Sequence, residues 1–416
     1  MNDFERRLEA IWHIESPRLI GALTRVLRDI TTAEDVAQDA FVAALTQWPS
    51  EGIPANPGAW LTTTAKRRAV DRLRRNAVLD EKTAEIERTQ PHATSIEADI
   101  EMLDQDVGDD MLRLMFISCH PILSREARVA LTLRMVGGLT TTEIARAFFV
   151  PEATIAQRIV RAKRALGAAH IPFELPPRDE LHARLAAVLE VIYLIFNEGY
   201  SATTGTDVVR PALCEDALRI ARALAHLRPD IGEVHALLAL VELQFSRAAA
   251  RADASGAPVL LADQDRTRWD RLLIRRGLHS LERAAALGPL GSYGLQAAIA
   301  ACHARAATFA DTDWQRIAAL YDALAELVPS PVVRLNRAVA IGMAFGPESA
   351  LPLLDELDEE PLLDAYHLLP AARADMFERL QRFGDAAAEF ERAAGLAANE
   401  RDAAFLRKRA SICRVR

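Results

Sequence analysis

Cysteine is sparse in this chain: Cys119, Cys214, Cys302 and Cys413 are the only four in 416 residues, and no two form a CxxC pair. That spacing argues against a disulfide framework or a zinc ribbon and fits a reducing cytosol, so a cytoplasmic location is expected. Aromatic residues make up only 6% of the chain, whereas Ala, Leu and Arg are abundant, a balance that favours helices over sheets. No apolar run reaches the roughly 18 residues a membrane span needs. Residues 1–15 are charged and amphipathic and lack the apolar core of a signal peptide. Also missing are a Walker loop, a G-x-S-x-G turn and an HExxH helix. The adjacent pairs Cys119-His120 and Cys302-His303 lack metal-ligand spacing and read as buried structural residues. No catalytic residue, cofactor or metal is therefore expected, and the chain does not read as an enzyme.

What the chain does have is a patterned charge. Its net charge is −8, which would argue against a nucleic-acid partner if the charge were uniform, but the sign changes along the chain. Between Lys66 and Arg75 six basic residues face Asp71 alone. From Asp80 to Asp110 eleven acidic residues stand against Lys82 and Arg88. From Glu152 to Leu166 four basic residues stand against Glu152. Two basic stretches thus flank an acidic one, and after about residue 178 the signs mix evenly.

Half the residues are hydrophobic, enough for two or three cored domains, and almost everything reads helical. Apolar spacing predicts helices over 4–14 and 17–29. A third is predicted from Thr32, as N-cap, to about Trp48, with Glu34 and Asp35 in its positive first turn. Residues 49–57 read as a Pro- and Gly-rich loop, and 58–75 as a long helix with an apolar seam of Leu61, Ala65, Ala69 and Leu73. Residues 77–108 lack a sustained apolar period and read as a linker; 109–168 read as helical again. Pro172, Pro176 and Pro177 mark a second boundary.

Residues 139–166 carry a helix-turn-helix pattern. A threonine caps the first helix, Ile144 and Ala145 face inward, and Pro151 sits at the turn. Ile155, Ile159, Ala162 and Leu166 make the buried stripe of the second helix. Thr154, Gln157, Arg158, Arg161 and Lys163 fall on the other face, with Arg164 beside them. Gln and Arg early in such a helix suit base edges in a major groove, and later Arg and Lys suit phosphates. An ordinary helical hairpin with a solvated basic face is the plainer alternative for this segment alone.

Three blocks in order widen the picture: residues 33–45 (AEDVAQDAFVAAL), residues 60–75 (WLTTTAKRRAVDRLRR) and the helix-turn-helix. Together they resemble a bacterial RNA polymerase sigma factor of the extracytoplasmic-function (ECF) type over residues 4–170. The resemblance implies that the first block, with Asp35, Gln38, Asp39 and Phe41, grips the largest polymerase subunit. It implies that the second, with Trp60, Lys66, Arg67, Arg68, Arg72, Arg74 and Arg75, melts and reads the −10 element. For Trp60, base stacking and core packing both stay open. The helix-turn-helix would read the −35 element, and the acidic linker would thread the basic channels of the polymerase or serve as a solubilising tether. Family members often carry Asn where this chain has Arg67, so −10 readout at that position would run through stacking or a phosphate contact instead.

Beyond Pro177 the sequence predicts ten to twelve helices. Ala217, Ala221, Leu224 and Pro229 recur at the same offsets as Ile317, Tyr321, Leu324 and Pro329, and Ala386, Phe390, Ala393 and Asn399 come close. This resembles a degenerate tetratricopeptide pattern and predicts an α-solenoid. The expected fold is all-α: region 2 (1–76), a linker (77–108), region 4 (109–172) and a helical regulatory domain (178–416). The stretches 193–200, 263–270 and 296–304 resemble the extension of one ECF group, which implies regulation through this domain and a small regulatory protein as a partner. Asn197-Glu198-Gly199 reads as a helix end with Gly199 in the left-handed position. Asp263, Asp265 and Arg266 read as a loop salt bridge. The expected partners are core RNA polymerase and promoter DNA. A helix-turn-helix regulator that binds DNA by itself and senses a ligand through the helical domain is the alternative; it leaves 33–75 without a role.

Overall fold

A computed structural model describes residues 3–87, 107–148, 150–177, 179–200, 209–253 and 257–416. The described residues are helical with turns between, and the chain divides into two compact units, Met1–Ile192 and Tyr193–Arg416.

In the first unit, α1 (Asp3–Leu27), α2 (Ile30–Glu51) and α3 (Pro57–Glu87) pack on one another. The two helices expected before residue 29 are one, with Pro17 inside it. The N-cap of α2 is Asp29, not Thr32: the Asp29 carboxylate accepts from the Thr32 amide, the stronger cap because it adds a charge to the positive helix end. Pro49 lies inside α2, which runs on to Glu51. Helix α3 continues past the apolar seam to Glu87, because its charged residues are good helix formers even without a core to face. Residues 88–106, most of the acidic stretch, lie outside the described residues.

α4 (Val107–Ser118) packs on α1. Asp110, the last residue of the acidic run, is fully buried there between Arg25 of α1 at 3.1 Å and Arg113 at 2.8 Å. It is a structural ion-pair residue and does not belong to a solvated tether. α5 (Arg125–Met135), α6 (Thr141–Phe148) and α7 (Glu152–Ala168) complete the unit with the start of α8 (Leu181–Tyr200).

α1 and the turn before α6 fit closely. Pro17 has no N–H for the His13 carbonyl, and the Gly137-Gly138 turn closes on α1 at that point. Gly138 has φ +72°, and a Cβ there would stand 2.9 Å from Ser16 Oγ and 3.0 Å from His13 Cα. Gly138→Ala is therefore expected to destabilise the unit by about 2 kcal/mol, from left-handed strain and overlap together. A urea midpoint equal to wild type would contradict this.

The second unit holds the rest of α8, then α9 (Pro211–Leu227), α10 (Gly232–Phe245), α11 (Arg271–Ala286), α12 (Ser292–Arg305), α13 (Trp314–Leu327), α14 (Pro331–Phe345), α15 (Pro347–Asp358), α16 (Leu368–Arg379), α17 (Phe383–Leu396) and α18 (Glu400–Val415). Its core is a relay. One cluster joins α10, α11 and α12, the next α12, α13 and α14, the next α14, α15 and α16, and the last α16, α17 and α18. Each helix serves two neighbouring clusters or one, which is the nearest-neighbour packing of a solenoid. The repeat positions explain it. Ala217, Ala221 and Leu224 of α9, Ile317 and Leu324 of α13, and Ala386, Phe390 and Ala393 of α17 are all buried. After α9 and α13 the chain turns through residues of matching conformation, Arg228 and Val328, ahead of Pro229 and Pro329. Asn399 breaks the pattern and caps α18 with its side chain.

Candidate nucleic-acid interface

Helix α7 follows its apolar period: Ile155, Ile159, Ala162 and Leu166 are buried. Thr140 and Glu143 form a reciprocal cap at the start of α6. The Thr140 hydroxyl accepts from the Glu143 amide at 3.1 Å, and the Glu143 carboxylate accepts from the Thr140 amide at 2.6 Å. Ile144 and Ala145 face inward. On the other side of α7, Gln157, Arg161 and Arg164 are exposed, and Thr154 and Arg158 are half-buried.

Lys163 departs from this face. Its ammonium ion-pairs with Glu34 of α2. Glu34 is 5% exposed, and its other oxygen accepts from Arg134 Nε of α5 at 2.5 Å and from Gln38 Nε2 at 2.9 Å. Arg134 also donates to the Leu139 carbonyl at 3.1 Å. Burial works against charge on Glu34, but the Arg134 and Lys163 cations prevail and hold its carboxyl below the usual range. Glu34 therefore does not simply sit in a helix first turn: it ties α2 to α5 and α7. The signal in the sequence was a carboxylate on the apolar stripe of Ile30, Ala33 and Ala37, all buried. A Glu in such a place needs cations.

On α3, Leu61, Ala65 and Ala69 are buried as the seam requires. Arg67 and Arg74 are exposed, and Lys66, Arg68 and Arg72 are half-buried. The Arg75 side chain lies outside the described residues. Arg68 reaches Asp39 of α2 at 3.6 Å, an exposed pair of small energetic weight. Trp60 packs edge-on against buried Trp48, with ring centroids 5.2 Å apart, and is itself half-buried. Core packing therefore engages one side of its ring.

On α2, Asp35 and Asp39 are exposed and Gln38 is half-buried. Phe41 packs on Trp12 with centroids 4.6 Å apart. Val42 is 57% exposed, and Leu45 is 46% exposed. The outer face of α2 thus joins two carboxylates to two aliphatic side chains.

The remaining candidates are structural. All four cysteines are buried thiols, and burial pushes Cys119 and Cys214 up to about 12, far from nucleophilic use. Among the described residues no group of three or more His, Cys, Asp or Glu is placed to hold a metal, and no described helix is long and apolar enough to cross a membrane. Gly199 is inside α8, where the absence of a side chain admits the Cys214 backbone. Arg266 makes no loop salt bridge: it donates to the carbonyls of His303 and Ala306 at 2.6 and 2.7 Å, and Asp265 instead accepts from Thr267.

Residues 13–78 match Sigma-70 region 2 and residues 113–166 match Sigma-70, region 4. Residues 184–285 match a family of unknown function (DUF6596). An uncharacterized protein of Rhizobium meliloti (strain 1021) is 42% identical over 395 residues, covering 94% of this chain and 92% of its own length. The ECF RNA polymerase sigma factor SigK of Mycobacterium sp. (strain KMS) is 31% identical over 161 residues, 38% of this chain and 79% of that protein. SigK of Mycobacterium ulcerans (strain Agy99) is 29% identical over 154 residues, 36% of this chain and 78% of that one. With both sigma regions in order and an ECF sigma factor 31% identical over 79% of its length, the chain belongs to the ECF RNA polymerase sigma factors.

Proposed function

We propose that this sigma factor directs core RNA polymerase to promoters through three helix faces of its first unit. The observation that carries this division is the pair of basic faces on α3 and α7, each backed by a buried apolar seam. The basic face of α3, from Lys66 to Arg75 with Trp60 at its start, meets the −10 element. Thr154, Gln157, Arg158, Arg161 and Arg164 on α7 meet the −35 element, and their charge draws them to phosphates by counterion release. The outer face of α2, with Asp35, Gln38 and Asp39, and Phe41 behind it, binds the polymerase. Replacing Asp35 and Asp39 together by Lys should weaken association of the full chain with core polymerase at least tenfold, since like charges would face the partner. Undiminished co-purification would overturn that assignment.

The α-helical unit from α9 onward is the regulator in this reading, with a small regulatory protein as a partner. Its support is the solenoid relay, a form that offers extended surface, in a unit that lies beyond the residues matching Sigma-70 regions 2 and 4. Deleting residues 211–416, from α9 onward, leaves residues 1–192 of the first unit whole and should alter run-off transcription by core polymerase; an unchanged transcript yield would rule the regulator out.

A further inference from the structure

The three stretches around Tyr200, Arg266 and His303 lie far apart in sequence and converge in the second unit. Tyr200 ends α8 and is buried. Its hydroxyl accepts from Arg247 Nη2 at 2.7 Å and Nε at 3.2 Å. The Arg251 guanidinium lies over the Tyr200 ring, 4.1 Å from its centre. Trp269, 3% exposed, is flanked by a third guanidinium, Arg266 at 4.7 Å, and again by Arg247 at 5.6 Å. His303 carries the carbonyl that Arg266 grips.

Three cations therefore share one aromatic cluster. Among the described residues no carboxylate stands within ion-pair distance of any of them. Asp402 senses the charge of Arg251, and Asp311 that of Arg266, only from beyond contact distance. Other shielded arginines of the unit differ: Arg210 pairs with Glu198 at 2.5 Å, Arg222 with Glu242 at 2.7 Å, and Arg373 with Asp358 at 2.9 Å. The cluster also holds buried donors without acceptors, Arg251 Nε and Trp269 Nε1, and the His303 ring, 9% exposed, leaves Nδ1 unpaired. Burial, with Arg247 and Arg266 nearby, pushes the His303 imidazole down to about 3, so it is neutral and adds no charge. Arg247 and Arg251 are half-buried, so each keeps a side open to solvent.

Cations with no carboxylate in contact repel one another where water is partly excluded, and guanidiniums bind oxyanions with several parallel hydrogen bonds. We propose that Arg247 and Arg251, with Tyr200 and Trp269 as their platform, form a binding site for an oxyanion, a phosphate or a carboxylate group of a small ligand. Arg266 is a positioning residue: it fixes the end of α12 against the cluster and raises its positive potential.

The test is isothermal titration of the full chain with inorganic phosphate, pyrophosphate and citrate at an ionic strength matched with chloride. Saturable binding of phosphate or pyrophosphate alone assigns a phosphoryl ligand; saturable binding of citrate alone assigns a carboxylate. Arg247→Gln and Arg251→Gln should each weaken that binding at least tenfold, while Arg275→Gln on the exposed face of α11 should not. No saturable binding by any of the three anions to the wild-type chain overturns the proposal, whatever the variants do. Equal binding by wild type and both cluster variants, each folded by circular dichroism, also overturns it. The readout is independent of transcription, so it stands or falls apart from the regulatory role of the unit.

Discussion

Changing Glu34 to Ala should destabilise the Met1–Ile192 unit by about 3 kcal/mol, the usual size of the loss when one partner of a buried ion pair is removed. The cause lies in what remains. Arg134 and Lys163 would face each other with side chains only 17% and 11% exposed and no carboxylate between them. Urea denaturation of the full chain would show an earlier first transition. Combining Glu34→Ala with Lys163→Met removes one stranded cation and should recover part of the loss, a coupling that separate sites do not show. The pH dependence has a definite sign. The folded carboxyl is held below its usual value, so its contribution is present above the ordinary carboxylate range and is lost as pH falls through the lower folded value. The stability difference between wild type and Glu34→Gln should therefore be full at neutral pH and shrink in acid. A constant difference across that range would count against the ion pair.

Replacing Arg161 and Arg164 together by Ala should cut run-off transcription from a −35-dependent promoter roughly a hundredfold, on the scale of about 1–3 kcal/mol for each well-made DNA contact. Both side chains are exposed on α7. Their removal should leave folding within about 0.5 kcal/mol of wild type, so the loss would report on DNA and not on stability. Lys163→Ala should behave in the opposite way, lowering stability through Glu34. If the double variant transcribes as wild type does, α7 is not the reading helix.

Much of this molecule could be read from periodicity. The α7 stripe, the α3 seam and the reciprocal cap at Thr140 follow from the spacing of a few apolar and polar residues, because a helix must bury one face and satisfy its first amides. The relay of cores in the second unit was foreshadowed by the matching offsets of α9, α13 and α17. What spacing did not reveal was pairing between distant elements. Glu34 with Lys163, and Asp110 with Arg25, join residues far apart in sequence, and local spacing names no partner for either acid. Lys163 consequently looked like one more phosphate contact. The Tyr200–Arg247–Trp269 cluster was hidden for the same reason: its stretches looked like helix ends and loops until the fold brought them together. Asp29 displaced Thr32 as cap because side-chain reach, and not residue type alone, decides between neighbouring candidates.

The most direct test of the account is run-off transcription with core polymerase, the full chain and promoter templates, alongside duplex binding by the chain alone. The account predicts transcripts that require both the chain and the polymerase, start at a fixed distance from the −10 and −35 elements, and disappear with Arg161→Ala/Arg164→Ala. Tight, sequence-specific duplex binding by the chain alone, with no transcripts on addition of core polymerase, would contradict it.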